Sequence, residues 1–148
     1  MSAVDDAWQR ALAAEHRAVF GYGVLGPHLN QPSDVQLAHA SQAAHELLRD
    51  QTEAELTAAA QLPTPPLADY PDLYPVAGAS AAQQLAISLE QDAAAAWRFL
   101  YAATVDAGAA SSALRATAQA ALTASAVRAT RWRMAAGLAA ATVAFPGV

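Results

Sequence analysis

Composition indicates a folded domain and excludes several classes of function. Hydrophobic residues make up 55% of the 148 residues and charged residues only 14%, which is not the composition of a disordered chain. The formal net charge of -5 argues against a nucleic-acid partner, since that requires a basic surface. The absence of cysteine excludes disulfides, thiolate metal sites and a cysteine nucleophile. The length suits one domain over residues 1–148.

The sequence also lacks the patterns of secreted and membrane-spanning proteins. Its N-terminus carries Asp5 and Asp6 in place of a basic segment followed by an apolar run, so no signal peptide is indicated. The most apolar stretch, Met134 to Phe145, has about 12 residues, whereas a membrane-spanning helix needs roughly 20. We therefore expect a cytoplasmic protein with no membrane partner.

The first two predicted helices precede a proline-rich segment. Helix 1 is predicted from about Val4 to Leu25, because apolar residues recur every three or four positions, with Glu15 inside that series. Helix 2 is predicted to follow Pro32, with Ser33 or Asp34 as its N-cap, and to end near Gln61. Roughly three residues in ten of the chain are alanine, the strongest helix former.

Two more helices follow that segment. Helix 3 is predicted from Ser80, as N-cap, to about Ala107, and its apolar stripe runs beside Glu90. Helix 4 is predicted from Ser111 or Ser112 to about Leu138. Two neighbouring columns run along helix 4: one with Leu114, Ala118, Ala121, Ser125, Arg128 and Trp132, the other with Val127, Arg131, Met134 and Leu138.

The lengths of the connections predict the topology. Short links between helices 1 and 2 and between helices 3 and 4 favour antiparallel neighbours. The segment at about 62–79 contains five prolines, and about 18 extended residues can reach roughly 55 Å, more than the roughly 40 Å of helix 2. The prediction is an all-α four-helix bundle of two antiparallel hairpins joined by a long crossover, the ferritin-like arrangement. A simple up-and-down bundle is the alternative.

Ionisable residues interrupt the apolar pattern near the middle of every predicted helix. They are Glu15, His45, Glu90 and the pair Arg128 and Arg131. Burying a charge is costly unless a partner meets it, so we expect these side chains to converge inside the bundle. Glu15 and Glu90 could alternatively form ion pairs at the rim.

The spacing of these residues resembles a di-metal site but lacks several ligands. Such a site takes one Glu from each of two helices and Glu-x-x-His from each of the other two. Helix 2 instead has Gln42-x-x-His45, and helix 4 has Arg128-x-x-Arg131. Arginine does not ligate metals, and it pairs well with carboxylates. We therefore predict that the two glutamates pair with the two arginines, with His45 hydrogen-bonded nearby and no metal bound.

Segments that match a known family are spread along the whole chain: Ala14-Glu15-His16-Arg17-Ala18-Val19-Phe20-Gly21-Tyr22-Gly23, Ala44-His45 with Arg49-Asp50, Leu89-Glu90, Ala96-Trp97-Arg98, Val127-Arg128-Ala129-Thr130-Arg131-Trp132-Arg133 and Phe145-Pro146-Gly147. They resemble a ferritin-like domain family of unknown function found in high-GC bacteria. The resemblance implies the ferritin-like fold and no established activity. The wider superfamily implies di-iron chemistry, but the missing helix 4 ligands indicate a degenerate site.

Three functions are compatible with these patterns. The favoured hypothesis is a metal-free interaction or structural module, acting as a homodimer and not as an enzyme, since no catalytic motif is present. The second is an iron or manganese oxidase with Glu15, His45 and Glu90 as ligands and Glu46 rotating inward. The third is a binder of a small apolar ligand between alanine-rich helices.

Overall fold

A computed structural model describes residues 2–148 as a bundle of four long α-helices, without strands in that range. The all-α four-helix prediction is therefore confirmed. Helix bounds are Ala3–Leu25 for α1, Pro32–Ala58 for α2, Ala79–Asp106 for α3 and Ser112–Ala135 for α4. Single turns of 3-10 helix occur at Gly26–His28, Pro71–Leu73 and Ala109–Ser111.

The predicted N-caps of α2 and α3 were wrong. Pro32 occupies the first position of α2, where its missing N–H costs nothing, so Gln31 is the flanking residue. The residue before α3 is Gly78, whose φ of +92° suits glycine.

The ends of α2 and α4 each fall three residues before the predicted position. Ala60, with a φ of +58°, follows the end of α2. Gly137, with a φ of +70°, follows the end of α4. Helices commonly end at a residue in the left-handed conformation. Both helices therefore end here, although the apolar periodicity of the sequence continues further.

Hydrogen bonds at the two ends of the bundle establish the helix directions. Gln83 Nε2 donates to Asp34 Oδ2 at 2.8 Å, which places the first turns of α2 and α3 together. At the opposite end, Gln9 Nε2 donates to the Leu62 carbonyl at 3.0 Å, so α1 begins where α2 finishes. Helices α1 and α2 are thus antiparallel, α2 and α3 are parallel, and the connecting segment runs the length of the bundle as predicted.

Side chains of α1 hold this crossover segment. His16 is buried, and its Nε2 lies 2.9 Å from the Thr64 carbonyl. Tyr70 is buried against Phe20, with the ring centroids 5.0 Å apart. Tyr74 meets the edge of Phe20 but remains 49% exposed.

Two hydrophobic clusters fill the interior, one on each side of a polar layer. One contains Tyr22, Leu89 and Trp132, and the other contains Ala11 and Trp97. The charged residues at mid-helix lie between them along the chain. None of the helices in residues 2–148 is both long enough and apolar enough to cross a membrane.

Candidate functional site

Four charged side chains meet in the layer between the two hydrophobic clusters. Glu15 from α1, His45 from α2 and Glu90 from α3 are fully buried. Arg128 from α4 reaches the same layer with 13% of its side chain exposed. The structure thus brings together four of the five residues that the sequence singled out, one from each helix.

His45 bridges the two glutamates through both of its ring nitrogens. Nδ1 lies 2.6 Å from Glu15 Oε2, and Nε2 lies 3.0 Å from Glu90 Oε1. Ionised carboxylates only accept hydrogen bonds, so a ring that bonds two of them donates from both nitrogens as an imidazolium. Burial lowers the pKa of His45, but hydrogen bonds and charges from both glutamates outweigh it and raise the pKa to about 9.

Glu90 is the most heavily bonded group in the layer. It accepts from the Tyr22 phenol at 2.6 Å, from His45, and from Arg128 Nε at 3.0 and 3.1 Å to its two oxygens. Burial raises the pKa of Glu90, yet the hydrogen bond and charge of His45, with the charge of Arg128, lower it overall. Glu90 is therefore a buried carboxylate held in its ionised form.

Glu15 has a different set of partners from the predicted one. Trp97 Nε1 donates to Glu15 Oε1 at 2.7 Å, and His45 occupies Oε2. No hydrogen bond or ion pair joins Glu15 to an arginine within the described chain, so the prediction of an arginine partner was wrong for this residue. The imidazolium takes that role because it lies directly between the two carboxylates.

Arg131 does not join the layer. It is exposed and forms no ion pair or hydrogen bond among residues 2–148, which corrects its predicted pairing with a glutamate. Three residues at about 100° each turn the helix by about 300°, so Arg131 points about 60° away from Arg128. Because of that rotation, the guanidinium group of Arg131 lies outside the layer, on the adjacent surface of the bundle.

Three hydrogen-bond donors of this site were not predicted from the sequence. They are Tyr22, Trp97 and Trp132, whose indole Nε1 donates to the Tyr22 hydroxyl at 2.8 Å. A buried phenol or indole usually finds a polar partner, and Tyr22 and Trp97 each follow a glutamate of the same helix by seven residues. That spacing on the same face was the available signal.

The layer balances its own charge and does not resemble a metal centre. Two carboxylates, one imidazolium and one guanidinium sum to zero. Within residues 2–148, no group of three or more His, Asp or Glu side chains is arranged to hold a metal ion. Both ring nitrogens of His45 are hydrogen-bonded to carboxylates, so neither is free to bind a metal ion. Glu46 makes no hydrogen bond to the layer. The residues present do not fit a di-metal site without rearrangement.

Comparison with known proteins places the chain in a family. A family model described as "Domain of unknown function (DUF4439)" matches residues 7–148. The chain belongs to this family. Its fold is also similar to the crystal structure of a conserved hypothetical protein, rv2844, from Mycobacterium tuberculosis, with 33% sequence identity and a TM-score of 0.80. That similarity covers 90% of this chain and 96% of the mycobacterial one. No curated protein matches the sequence.

Proposed function

We propose that this protein is a metal-free ferritin-like bundle that serves as an interaction or structural module. In this view, the layer of Glu15, His45, Glu90 and Arg128 stands where ferritin-like proteins hold two metal ions. The long crossover between α2 and α3 supports the relationship, since one crossover between two hairpins is typical of ferritin-like folds.

The observation that carries this proposal is the closed ion-pair network. Arg128 provides a fixed positive charge 3.0 Å from Glu90, where a metal would require a ligand. A metal would also need neutral His45, because a protonated imidazole has no lone pair to offer. With a pKa of about 9, only about one His45 in a hundred is neutral at pH 7. A metal ion would therefore have to compete with the positive charges of Arg128 and protonated His45.

The oxidase alternative rests on the same three residues, so metal content decides between the two. We expect protein purified without chelators to contain far less than one equivalent of iron, manganese or zinc by elemental analysis. Excess Fe(II), Mn(II) or Zn(II) should leave the melting temperature unchanged. Near-stoichiometric iron or manganese, or a metal-induced stabilisation that disappears in Glu15→Gln, contradicts the metal-free proposal.

A rebuilt variant tests the ferritin-like part separately. Gln42→Glu, Arg128→Glu and Arg131→His together restore Glu-x-x-His on both α2 and α4. We expect this triple variant to gain metal and to melt at a higher temperature when metal is added. If the variant folds but acquires no metal, the layer does not correspond to a di-metal site.

An exposed apolar surface on α4 and the C-terminal segment supports self-association. Met134, Leu138 and Phe145 are 66%, 41% and 76% exposed. Large apolar side chains left exposed in neighbouring parts of the sequence are candidates for a protein interface. We propose a homodimer through this surface, which Met134→Glu should dissociate in sedimentation velocity. Leu62→Glu, at an exposed residue beyond the end of α2, is the control, and a monomeric wild-type protein contradicts the proposal.

A further inference from the structure

One side of the bundle, between α2 and α4, is open. Helix α1 packs on α2 and α3, and α3 packs on α4, whereas α2 and α4 scarcely touch. The gap forms a groove of about 320 Å³. Its walls include Leu37, Ala124 and Val127, and its polar lining comes from Ser41, Arg128 and Arg131.

The polar residues of this groove have unused hydrogen-bonding capacity. Ser41 is fully buried, and its hydroxyl has no hydrogen-bond partner. Arg128 uses Nε on Glu90 and Nη2 on Ser125, and no hydrogen bond within residues 2–148 engages Nη1 of this partly exposed side chain. An unpaired buried hydroxyl is costly, so the Ser41 hydroxyl indicates a missing partner.

The charge of the groove selects the kind of partner. The central layer is neutral with His45 protonated, and Arg131 then adds one positive charge that forms no ion pair among residues 2–148. A monoanion would balance this charge. A phosphate monoester, at about -1.5 to -2, would overcompensate it. Arginine heads bind carboxylates through paired hydrogen bonds, and a serine hydroxyl can donate a further one.

We propose that the groove binds an aliphatic monocarboxylate. The carboxylate lies between the guanidinium groups of Arg128 and Arg131, near the Ser41 hydroxyl, and the chain follows the wall formed by Leu37 and Val127. The groove is at the lower end of the roughly 300–1,000 Å³ typical of ligand sites, so a short chain such as that of hexanoate fits. This site goes beyond the proposed function and does not depend on the metal content of the layer.

Calorimetric titration of the full chain with hexanoate, hexanol and inorganic phosphate tests the charge requirement. We expect saturable one-to-one binding of hexanoate, with hexanol and phosphate each at least tenfold weaker. Arg131→Gln should weaken hexanoate binding by about tenfold or more, since it removes one of the two guanidinium groups that hold the carboxylate. Arg10→Gln, which removes an exposed arginine on α1, should change it less than twofold.

A second pair of variants tests the location of the chain. Ala124→Leu narrows the groove and should abolish hexanoate binding, whereas Ala43→Leu, on the exposed face of α2, should leave it intact. Circular dichroism verifies that each variant is folded. The proposal is overturned if hexanoate does not saturate at millimolar concentration, if phosphate binds as tightly, or if Arg10→Gln weakens binding as much as Arg131→Gln. The metal measurements are unaffected by any of these results.

Discussion

The two sides of this bundle are built from similar alanine-rich helices but are held together differently. On the α1–α3 side, Gly21 faces Leu89 so closely that an added Cβ would lie 2.5 Å from Leu89 Cδ1. On the α2–α4 side the helices scarcely touch, and polar contacts such as the chain Arg128–Glu90–His45 link them through α3. One side is therefore stabilised by close packing and the other by electrostatics, which predicts different responses to mutation and to pH.

Removing Glu90 should have the largest effect, because it links the charges of both sides. Glu90→Ala leaves His45 and Arg128 buried or half-buried without their shared carboxylate. Breaking a buried ion pair costs about 3–5 kcal/mol, and we expect that loss in the free energy of unfolding measured with urea. Glu55→Gln, at an exposed position on α2, should change it by less than about 0.5 kcal/mol. Equal effects of the two substitutions would contradict the network.

Alkaline pH should weaken the electrostatic side and leave the packed side intact. The pKa of His45 is raised from 6.5 to about 9, so its contribution to stability is fully present below about pH 6.5 and is lost as pH rises through 9. At 1.36 kcal/mol per pKa unit, this contribution is on the order of 3 kcal/mol.

Unfolding free energies between pH 6 and 10 measure this loss. His45→Gln should flatten the alkaline decline, whereas the exposed His39→Gln should keep it. Glu90 acts in the opposite direction, since its lowered pKa gives stability that is present above about pH 4.5 and is lost on further acidification. A wild-type decline that survives in His45→Gln would assign the pH dependence to another group.

The packed side should be sensitive to a single methyl group. Gly21→Ala forces Leu89 or the backbone to shift, and the overpacking cost of about 1–3 kcal/mol should exceed the gain of up to about 1 kcal/mol in helix propensity. Gly23→Ala, two residues away, meets nothing closer than 3.7 Å and should stabilise α1 by up to about 1 kcal/mol through helix propensity. Thermal unfolding of the two variants should therefore shift in opposite directions.

The smallest effect is expected at the surface of the open side. Arg131→Gln should change the free energy of unfolding by no more than about 0.5 kcal/mol, because Arg131 is exposed and makes no ion pair among the described residues. Arg128→Gln should cost more, since it removes the guanidinium bound to Glu90. Comparable losses from the two substitutions would show that Arg131 also stabilises the layer.

Most of the fold could be predicted from the sequence because helix periodicity and connection length are local properties. The buried column of α4, including Ala118, Ser125 and Trp132, matched its predicted column, and the neighbouring column that contains Met134 is exposed. Helix ends were less predictable, because they depend on the left-handed conformation of single residues such as Ala60.

The site was only partly predictable, because its pairing depends on small rotations of whole helices. The convergence of Glu15, His45 and Glu90 followed from their mid-helix positions. A rotation of about 60° decides which of Arg128 and Arg131 enters the layer, and helical periodicity does not determine it. The indole donors were not predicted because tryptophan was counted only as an apolar residue, although its indole N–H can donate a hydrogen bond.

The chain of hydrogen bonds that links all four helices has a consequence for how they align. Alanine side chains offer few features to resist sliding, and one turn of displacement, about 5.4 Å, would superimpose much of one alanine-rich face on itself. Such a slip would separate His45 from both carboxylates and Trp97 from Glu15, whose bonds are 2.6–3.0 Å long. We expect the buried ion pairs to specify one axial register of the helices among several that would pack about equally well.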